Sequence, residues 1–272
     1  IPLRLVGSEM CIRDSYKADS VIHRLDPRVK LMGTLIFIIS LFMGMNIWIY
    51  AVVTVALAVV IKMSRIPLKF MVRGLKSIVI LIIISAVFNL FLTPGDVLIQ
   101  IWKLTITYQG LKMAIFMVVR LIYLIVGTSL MTLTTTPNNL TDGLEKGLGF
   151  LKVIKVPVHE IAMMMSIALR FIPILIEETD KIMKAQMARG ADFENGSLIK
   201  RAKAMVPILV PLFVSAFRRA NELAMAMEAR CYHGSEGRTK MKPLKYEKRD
   251  RIAYISMVLY LGVIIIVKII AA

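Results

Sequence analysis

The stretch LMGTLIFIISLFMGMNIWIYAVVTVALAVVI, residues 31–61, contains no charged residue. As a single helix it would measure roughly 46 Å, because a helix rises about 1.5 Å per residue. The apolar core of a bilayer is only about 30 Å thick. We therefore predict two short membrane-spanning helices, with the chain reversing at Gly44-Met45-Asn46. In this prediction Asp26 caps the first helix and Pro27 opens its first turn.

The composition agrees with a membrane environment. Hydrophobic residues make up 57% of the 272 residues, whereas soluble domains contain about 45–50%, and the mean hydropathy is +0.72. A formal net charge of +17 also occurs in nucleic-acid-binding proteins, but in a membrane protein positive charge usually marks cytoplasmic loops. We therefore expect a lipid bilayer as the surroundings and no nucleic acid as a partner.

Three more spans follow the first two. One covers about residues 78–92 and is closed by Thr93-Pro94-Gly95-Asp96, and the others lie within residues 111–134 and 252–270. The predicted fold class is therefore all-α, a polytopic membrane protein with about five transmembrane helices and long cytoplasmic amphipathic helices.

Two shorter segments connect the first four of these spans. The first carries basic residues at three- and four-residue steps, namely Lys62, Arg65, Lys69, Arg73 and Lys76. This spacing predicts one cytoplasmic helix whose basic face lies near lipid headgroups. For the second, residues 97–110, we predict an outer loop with a short interfacial helix around Trp102.

The basic residues also predict the orientation of the chain. Of the 35 Lys and Arg residues, only Lys103, Lys112, Arg120 and Lys268 fall outside the segments assigned to the cytoplasm. Because cytoplasmic loops carry an excess of Lys and Arg, we place residues 137–251 in the cytoplasm and the C-terminus outside.

Arg120 lies inside the fourth predicted span, where an Arg costs roughly 2.5–3.5 kcal/mol. Two interpretations are open. Either Arg120 pairs with another residue inside the helix bundle, or the span starts near Leu121 and the Arg120 side chain reaches the outer surface.

The region from Pro137 to Arg251 combines mixed charge with strong helical periodicity. Mostly apolar residues step by three and four from Ile161 to Gln186, which predicts one long amphipathic helix bent at Pro173. A second helix is predicted over residues 198–230, where Pro207 and Pro211 kink or split it.

Both predicted helices end on a related motif. Ala185-x-x-Ala188-Arg189-Gly190 closes the first, and Ala226-x-x-Ala229-Arg230-Cys231 closes the second. One interpretation is local, since Gly suits the position after a helix and Arg suits its last turn. The other is a docking site, because small residues let a partner approach while Arg makes forked bonds to carboxylates. The repetition favours docking.

Eight methionines of the same region cluster at positions 163, 164, 165, 183, 187, 205, 225 and 227. Met-rich surfaces adapt to different partners. Ordinary core filling between two crossing helices is the other interpretation, and the sequence alone favours it for most of the eight.

No catalytic signature is visible. The chain has no phosphate-binding loop, no GxSxG and no HExxH motif, and its three His have no metal-ligand spacing. Cys11 and Cys231 do not form a disulfide framework. We expect no enzyme activity, no metal and no cofactor. The predicted organisation is a non-native or disordered leader (1–15), a transmembrane block of about four spans (16–136), a cytoplasmic helical region (137–251) and a last span (252–272).

The paired Ala-Arg helix ends and the stretch DSVIHRLDPRVKL, residues 19–31, resemble the transmembrane T component of energy-coupling factor (ECF) transporters, which are ABC-type importers of vitamins and metal ions. The resemblance runs from Tyr16 to the C-terminus. It departs from the family pattern at Cys231, where Gly is expected, and in the leader before Tyr16.

The resemblance implies a coupling role in a bacterial cell membrane. A T component joins two cytoplasmic ABC ATPase subunits, alike or different, to a substrate-binding S component, and ATP is hydrolysed by the partners. Arg189 and Arg230 would be the tips that dock on the ATPases. The tip surroundings would be Ala188, Gly190, Ala229 and Cys231. The apolar faces of the helices would bind the S component, which gives a docking role to Met164, Met165 and Met183.

Two other classes of function remain open at this point. A channel or secondary transporter needs polar residues that converge within the membrane, and only Asn89 and Arg120 are candidates. A membrane scaffold without a transport role is the second. Co-purification with two ATPase chains would support the coupling role alone.

Overall fold

The structure, a computed structural model, describes residues 20–101, 104–191, 193, 198–234 and 244–270. The predicted leader, residues 1–15, therefore lies outside the described residues. The chain forms two compact units, one of residues 1–143 with 244–272 and one of residues 144–243. Helices dominate both, which confirms the all-α fold class.

The first unit contains the predicted spans. Its helices are α1 (Pro27–Phe42), α2 (Ile47–Ser64), α3 (Leu68–Leu92), α4 (Tyr108–Thr134) and α8 (Lys248–Ile270). The break between α1 and α2 falls at residues 43–46, as predicted. Asp26 caps α1 by accepting a hydrogen bond from the Arg28 N–H at 3.0 Å, and Pro27 lies in the first turn.

The prediction of one basic helix over residues 62–76 is wrong. Lys62 lies in the last turn of α2, and the chain turns at Arg65, which has a left-handed φ of 55°. α3 then begins at Leu68 and continues without interruption through the third predicted span to Leu92. The physical reason is Pro67, which disfavours helical backbone at the residue before it.

A β-hairpin occupies much of the predicted outer loop. β1 (Val97–Ile101) pairs antiparallel with β2 (Leu104–Thr107), so the prediction of a helix in this loop is wrong for the residues that flank position 102. Trp102 itself lies outside the described residues. β-branched residues are frequent in both strands, and this composition favours extended backbone.

α3 and α4 pack closely after the hairpin. A Cβ at Gly110 would lie 2.9 Å from the Leu90 carbonyl oxygen and 3.1 Å from that of Asn89. The Thr107 hydroxyl caps α4 by accepting a hydrogen bond from the Gly110 N–H at 3.0 Å. Glycine is therefore required where the two backbones approach.

The core of the first unit is apolar with a few internal polar pairs. Leu41, Ile49, Tyr50, Val53 and Ile264 form its main buried cluster. Ser40 Oγ and Tyr260 Oη lie 2.7 Å apart and link α1 to α8, while Thr54 and Tyr123 link α2 to α4. Such bonds hold helices together where lipid supplies no hydrophobic drive between them.

Arg120 is one of these internal groups. It is only 9% exposed, and its Nε donates to the Tyr50 hydroxyl at 3.1 Å while its guanidinium lies 5.0 Å from the centre of the Phe42 ring. α4 begins at Tyr108, well before Arg120 in the chain. The pairing interpretation is confirmed, and the alternative of a span starting near Leu121 is wrong.

A buried carboxylate joins the two ends of the first unit in sequence. Asp250, 3% exposed, accepts hydrogen bonds from the Asp26 N–H at 2.9 Å and from the Glu247 N–H at 2.8 Å. Lys30 Nζ donates to the carbonyl oxygen of Thr134 at 2.8 Å and so reaches the end of α4. The stretch around Asp26 therefore ties α1 to both α4 and α8.

The second unit is built from two long helices. α5 (Pro137–Gly147) contains the division between the units, and a 3₁₀ turn (Gly149–Ile154) follows it. α6 (Val158–Ala188) contains Pro173, and α7 (Leu198–Ala229) continues through Pro207 and Pro211. The prolines therefore do not split the second helix.

Four of the described helices are long and apolar enough to cross a membrane, namely α2, α4, α6 and α8, and residues 78–92 of α3 form a shorter apolar segment. α6 meets this criterion although the sequence assigns it to the cytoplasmic region. Its location stays a prediction.

Candidate coupling site

The first helix end of interest closes α6. Ala188 is the last helical residue, Arg189 caps it, and Gly190 takes a left-handed φ of 88°. The Gly190 N–H donates to the Met187 carbonyl at 2.9 Å, and the Ala191 N–H donates to the Gln186 carbonyl at 3.0 Å. These two bonds define a Schellman motif, in which a left-handed residue satisfies carbonyls that the helix leaves free.

The end of α7 repeats this geometry. The Cys231 N–H donates to the Glu228 carbonyl at 2.8 Å, and the Tyr232 N–H donates to the Met227 carbonyl at 3.1 Å. Cys231 has a φ of 54°. A residue with a Cβ therefore occupies a conformation that favours glycine, and the same cap is built at both ends.

The caps leave the predicted site residues in solvent. Arg189 and Arg230 are exposed, and so are the small residues beside them, Ala188, Gly190, Ala229 and Cys231. Nothing lies within 4 Å of a Cβ built on Gly190. Each end therefore presents a full positive charge on a surface that a partner backbone can approach closely. The local interpretation of the motif, as a helix cap, describes its backbone correctly and leaves the Arg side chains unexplained.

Electrostatics at each end favours an anionic partner. A helix C-terminus carries a partial charge of about −0.5, whereas the guanidinium carries a full positive charge and presents a planar fork of donors. The positive charge of the exposed Arg therefore exceeds the partial negative charge of the helix end. Its guanidinium can bind a carboxylate in bidentate fashion.

The methionines predicted to dock the S component do not form one patch at the Arg189 end of α6. Met164 is 58% exposed and Met165 41%, whereas Met183 is half-buried. Met165 and Met183 are separated by about five helical turns, or about 27 Å along α6, so they share a face at opposite ends of the helix. The structure thus separates Met164 and Met165 from the Arg189 end of α6.

A polar contact that the sequence reasoning missed joins α6 to α7. Glu178 accepts hydrogen bonds from Ser215 Oγ at 2.6 Å and from an Arg219 terminal nitrogen at 2.8 Å. The bond from Ser215, followed by that from Arg219, lowers the pKa of Glu178 below its ordinary value, so the carboxylate stays ionised. A signal was present in the sequence, because Glu178 and Arg219 are separated by the same offset as the motif residues Arg189 and Arg230.

The polar residues within the predicted spans do not converge. The Asn89 side chain donates to the Ser85 carbonyl of its own helix, and its backbone lies beside Gly110. Arg120 lies about 15 Å farther along α4 than Gly110. This arrangement gives no support to a channel or secondary transporter centred on these two residues. Within the part of the chain that the structure describes, no group of three or more His, Cys, Asp or Glu residues is placed to hold a metal ion.

Comparison with known proteins identifies the family of the chain. The sequence model of the CbiQ family, described as a cobalt transport protein, matches residues 18–241. The "Energy-coupling factor transporter transmembrane protein EcfT" of Thermosediminibacter oceani is 54% identical over 248 residues, which are 91% of this chain and 94% of the relative. The same-named protein of Clostridium kluyveri is 55% identical over 90% of this chain and 92% of its own.

A third relative gives the same result. The EcfT protein of Bacillus subtilis is 47% identical over 250 residues, covering 92% of this chain and 94% of that protein. Similarity at this level over most of both chains agrees with the resemblance carried by the Ala-Arg motifs. The chain belongs to the CbiQ family and is a transmembrane component of the EcfT type in energy-coupling factor transporters.

Proposed function

We propose that the chain is the coupling subunit of an importer in the bacterial cell membrane. It joins two cytoplasmic ABC ATPase subunits, alike or different, to a membrane-embedded S component that binds a vitamin or a metal ion. ATP is hydrolysed by the partners, and this chain passes their motion to the S component. The names of its relatives support a role in such a transporter.

One observation carries the proposal. Two exposed Arg residues, Arg189 and Arg230, stand on helix ends with the same backbone cap. Two equal tips fit two ATPase subunits, with one tip in an acidic groove on each. Closure of the ATPases on ATP then moves both tips, and the long helices carry that motion along their length.

The rest of α6 supplies the surface for the S component in this proposal. Met164 and Met165 are exposed and lie about 37 Å from Arg189 when measured along α6. Flexible thioether side chains can repack against different partners. The methionine surface is therefore far enough from the Arg189 tip to contact a different subunit.

A charge reversal at both tips tests the coupling role. In the double variant Arg189→Glu, Arg230→Glu we expect the ATPases to stop co-purifying and substrate uptake to cease, with normal expression. A matched control reverses two other exposed Arg residues of the same helices, Arg170→Glu and Arg218→Glu. This variant should still co-purify with the ATPases and take up substrate. Normal uptake by the tip variant would refute the coupling role.

The orientation of the chain is tested separately. Residues 137–251 are placed in the cytoplasm on the basis of basic-residue asymmetry. A single Cys introduced as Gly196→Cys, in a chain without its natural Cys residues, should react with a membrane-impermeant maleimide only after the cells are opened. Labelling of intact cells would show that residues 137–251 lie outside the cell and would contradict the predicted orientation.

A further inference from the structure

The sequence offset that relates the two tips also relates positions far from them. Glu177-Glu178 on α6 corresponds to Arg218-Arg219 on α7, just as Arg189 corresponds to Arg230. Equivalent positions therefore carry equal charges at the tips but opposite charges about three helical turns earlier. Equal charges suit two identical docking events, whereas opposite charges at equivalent positions suit contact between the two helices themselves.

The structure contains that contact. Glu178 and Arg219 form an ion pair at 2.8 Å, and Ser215 Oγ binds the other carboxylate oxygen at 2.6 Å. Because the ion pair joins equivalent positions, each tip lies beyond it by the same length of its own helix, about 16 Å. The contact is therefore equidistant from the two tips.

We propose that Glu178 and Arg219 form the pivot of the two coupling helices and act as positioning residues for energy transfer. The pivot gives the two Arg tips lever arms of equal length, so that ATPase closure drives both arms through the same displacement. This inference rests on the proposed coupling function and adds the element that keeps the two arms in register.

A neighbouring contact agrees with a pivot. Gln186 Nε2 donates to the Pro207 carbonyl oxygen at 3.5 Å, an acceptor that Pro211 leaves free because it has no N–H. Residue numbers therefore fall along α7 as they rise along α6, and the helices cross in opposite directions. The tips consequently point away from each other, as two separate docking partners require.

A groove and an unused hydrogen-bond donor at the crossing allow the angle between α6 and α7 to change. A groove of about 330 Å³ lies beside the pair and is lined by Ile174, Glu177, Lys181, Ile182 and Ala185. Arg219 Nε is buried and has no hydrogen-bond acceptor among the described residues. Arg219 Nε can therefore donate a second hydrogen bond to Glu178, so that the pair persists as the crossing angle changes.

A distance measurement tests the mechanical part. Spin labels at Lys184 and Met225, equivalent and exposed positions on the two arms, report the separation of the arms in the assembled transporter. Loss of the pivot in Glu178→Ala should broaden the distance distribution. The matched control is Glu222→Ala, an exposed Glu on α7 that does not line the groove, which should leave the distribution narrow. Equal distributions in both variants would overturn the pivot.

A transport measurement tests the consequence for coupling. The side chains of Glu178 and Arg219 are 24% and 36% exposed, and an ion pair that water reaches contributes little to stability. Glu178→Ala should therefore fold and still co-purify with the ATPases. We expect its substrate uptake per ATP hydrolysed to fall by about fivefold or more, the lower end of typical coupling between sites. The charge exchange Glu178→Arg with Arg219→Glu restores the pair and should recover most of the lost uptake. Arg219→Glu alone places two carboxylates together, and its uptake should stay low.

The outcomes separate the pivot from the coupling role on which it rests. If the unaltered chain does not assemble with ATPases, the proposed function fails. If it assembles and couples, but Glu178→Ala couples equally well or the charge exchange fails to recover coupling, only the pivot is refuted.

Discussion

The buried charges of the first compact unit and the exposed Arg tips of the second differ in where they find partners. In the first, Asp250 and Arg120 are buried, and each binds groups of the same unit. In the second, Arg189 and Arg230 are exposed at helix ends. A buried charge must be partnered within the chain because desolvation is costly, whereas an exposed one remains available to another molecule. Changes in the first unit should therefore alter folding, and changes at the tips should alter assembly.

The sharpest test of this difference is a single tip reversal. Arg189→Glu or Arg230→Glu replaces attraction by repulsion at a contact that is desolvated on docking, which costs on the order of 2–5 kcal/mol, or roughly 30- to several-thousand-fold in affinity. Uptake should fail, while the remaining tip keeps some ATPase bound. Co-purification measured beside uptake and expression checks this. Lys at either position keeps the charge and loses the fork, so assembly should persist with reduced uptake.

The converse test removes a buried partner. Asp250→Ala leaves the N–H groups of Asp26 and Glu247 without their acceptor and should lower the free energy of unfolding by about 3 kcal/mol. Thermal unfolding of the purified chain in detergent measures the change. Glu247→Ala is the matched control, since that side chain is 60% exposed. Equal melting temperatures for the two variants would contradict the assigned role of Asp250.

The methionine surface gives a smaller, partner-specific effect. Met164→Gln with Met165→Gln should weaken S-component binding by about tenfold, because burying one such side chain contributes roughly 1.5–3 kcal/mol and Gln offers only part of that. A weaker effect is expected from Met183→Gln, since Met183 is already half-buried. ATPase binding should not change. A pull-down with each partner measures both, with Ser166→Gln as an exposed control on the same helix. Equal loss of both partners would indicate misfolding and core packing.

The smallest effect compares the two caps directly. Cys231 holds a left-handed φ that costs a side-chain-bearing residue about 1 kcal/mol, so Cys231→Gly should raise stability by that amount. Gly190→Cys should lower it similarly, because open space around Gly190 leaves only the backbone penalty. Thermal unfolding of both variants checks the opposite signs. The same sign in both would show that the caps are not equivalent.

Sequence reasoning succeeded where the signal lies within one turn of chain. Asp26-Pro27 fixed the start of α1, Gly44-Met45-Asn46 its end, and the Ala-Arg motifs the ends of α6 and α7. It failed at residues 62–76, where charge periodicity continued across a break that Pro67 imposes. It also missed the hairpin, although β-branched residues were present in Val97–Ile101 and Leu104–Thr107.

The candidate site was predictable only in part. The Arg tips were visible because the motif is local and repeated. The Glu178–Arg219 contact was not, although it shares the offset of the motif. An ion pair between helices depends on how they cross, and no local rule gives that angle, because many side-chain ridges can interdigitate.

The sequence by itself determined the membrane class, the start of α1 and the ends of α6 and α7, since hydropathy, caps and left-handed residues act over a few positions. Tertiary structure alone decided the partner of Arg120, the hydrogen bond between Asp26 and Asp250, and the contact that joins α6 to α7. These contacts join residues distant in sequence, and their formation depends on side-chain packing across the whole unit. A single sequence does not encode such packing in any local pattern.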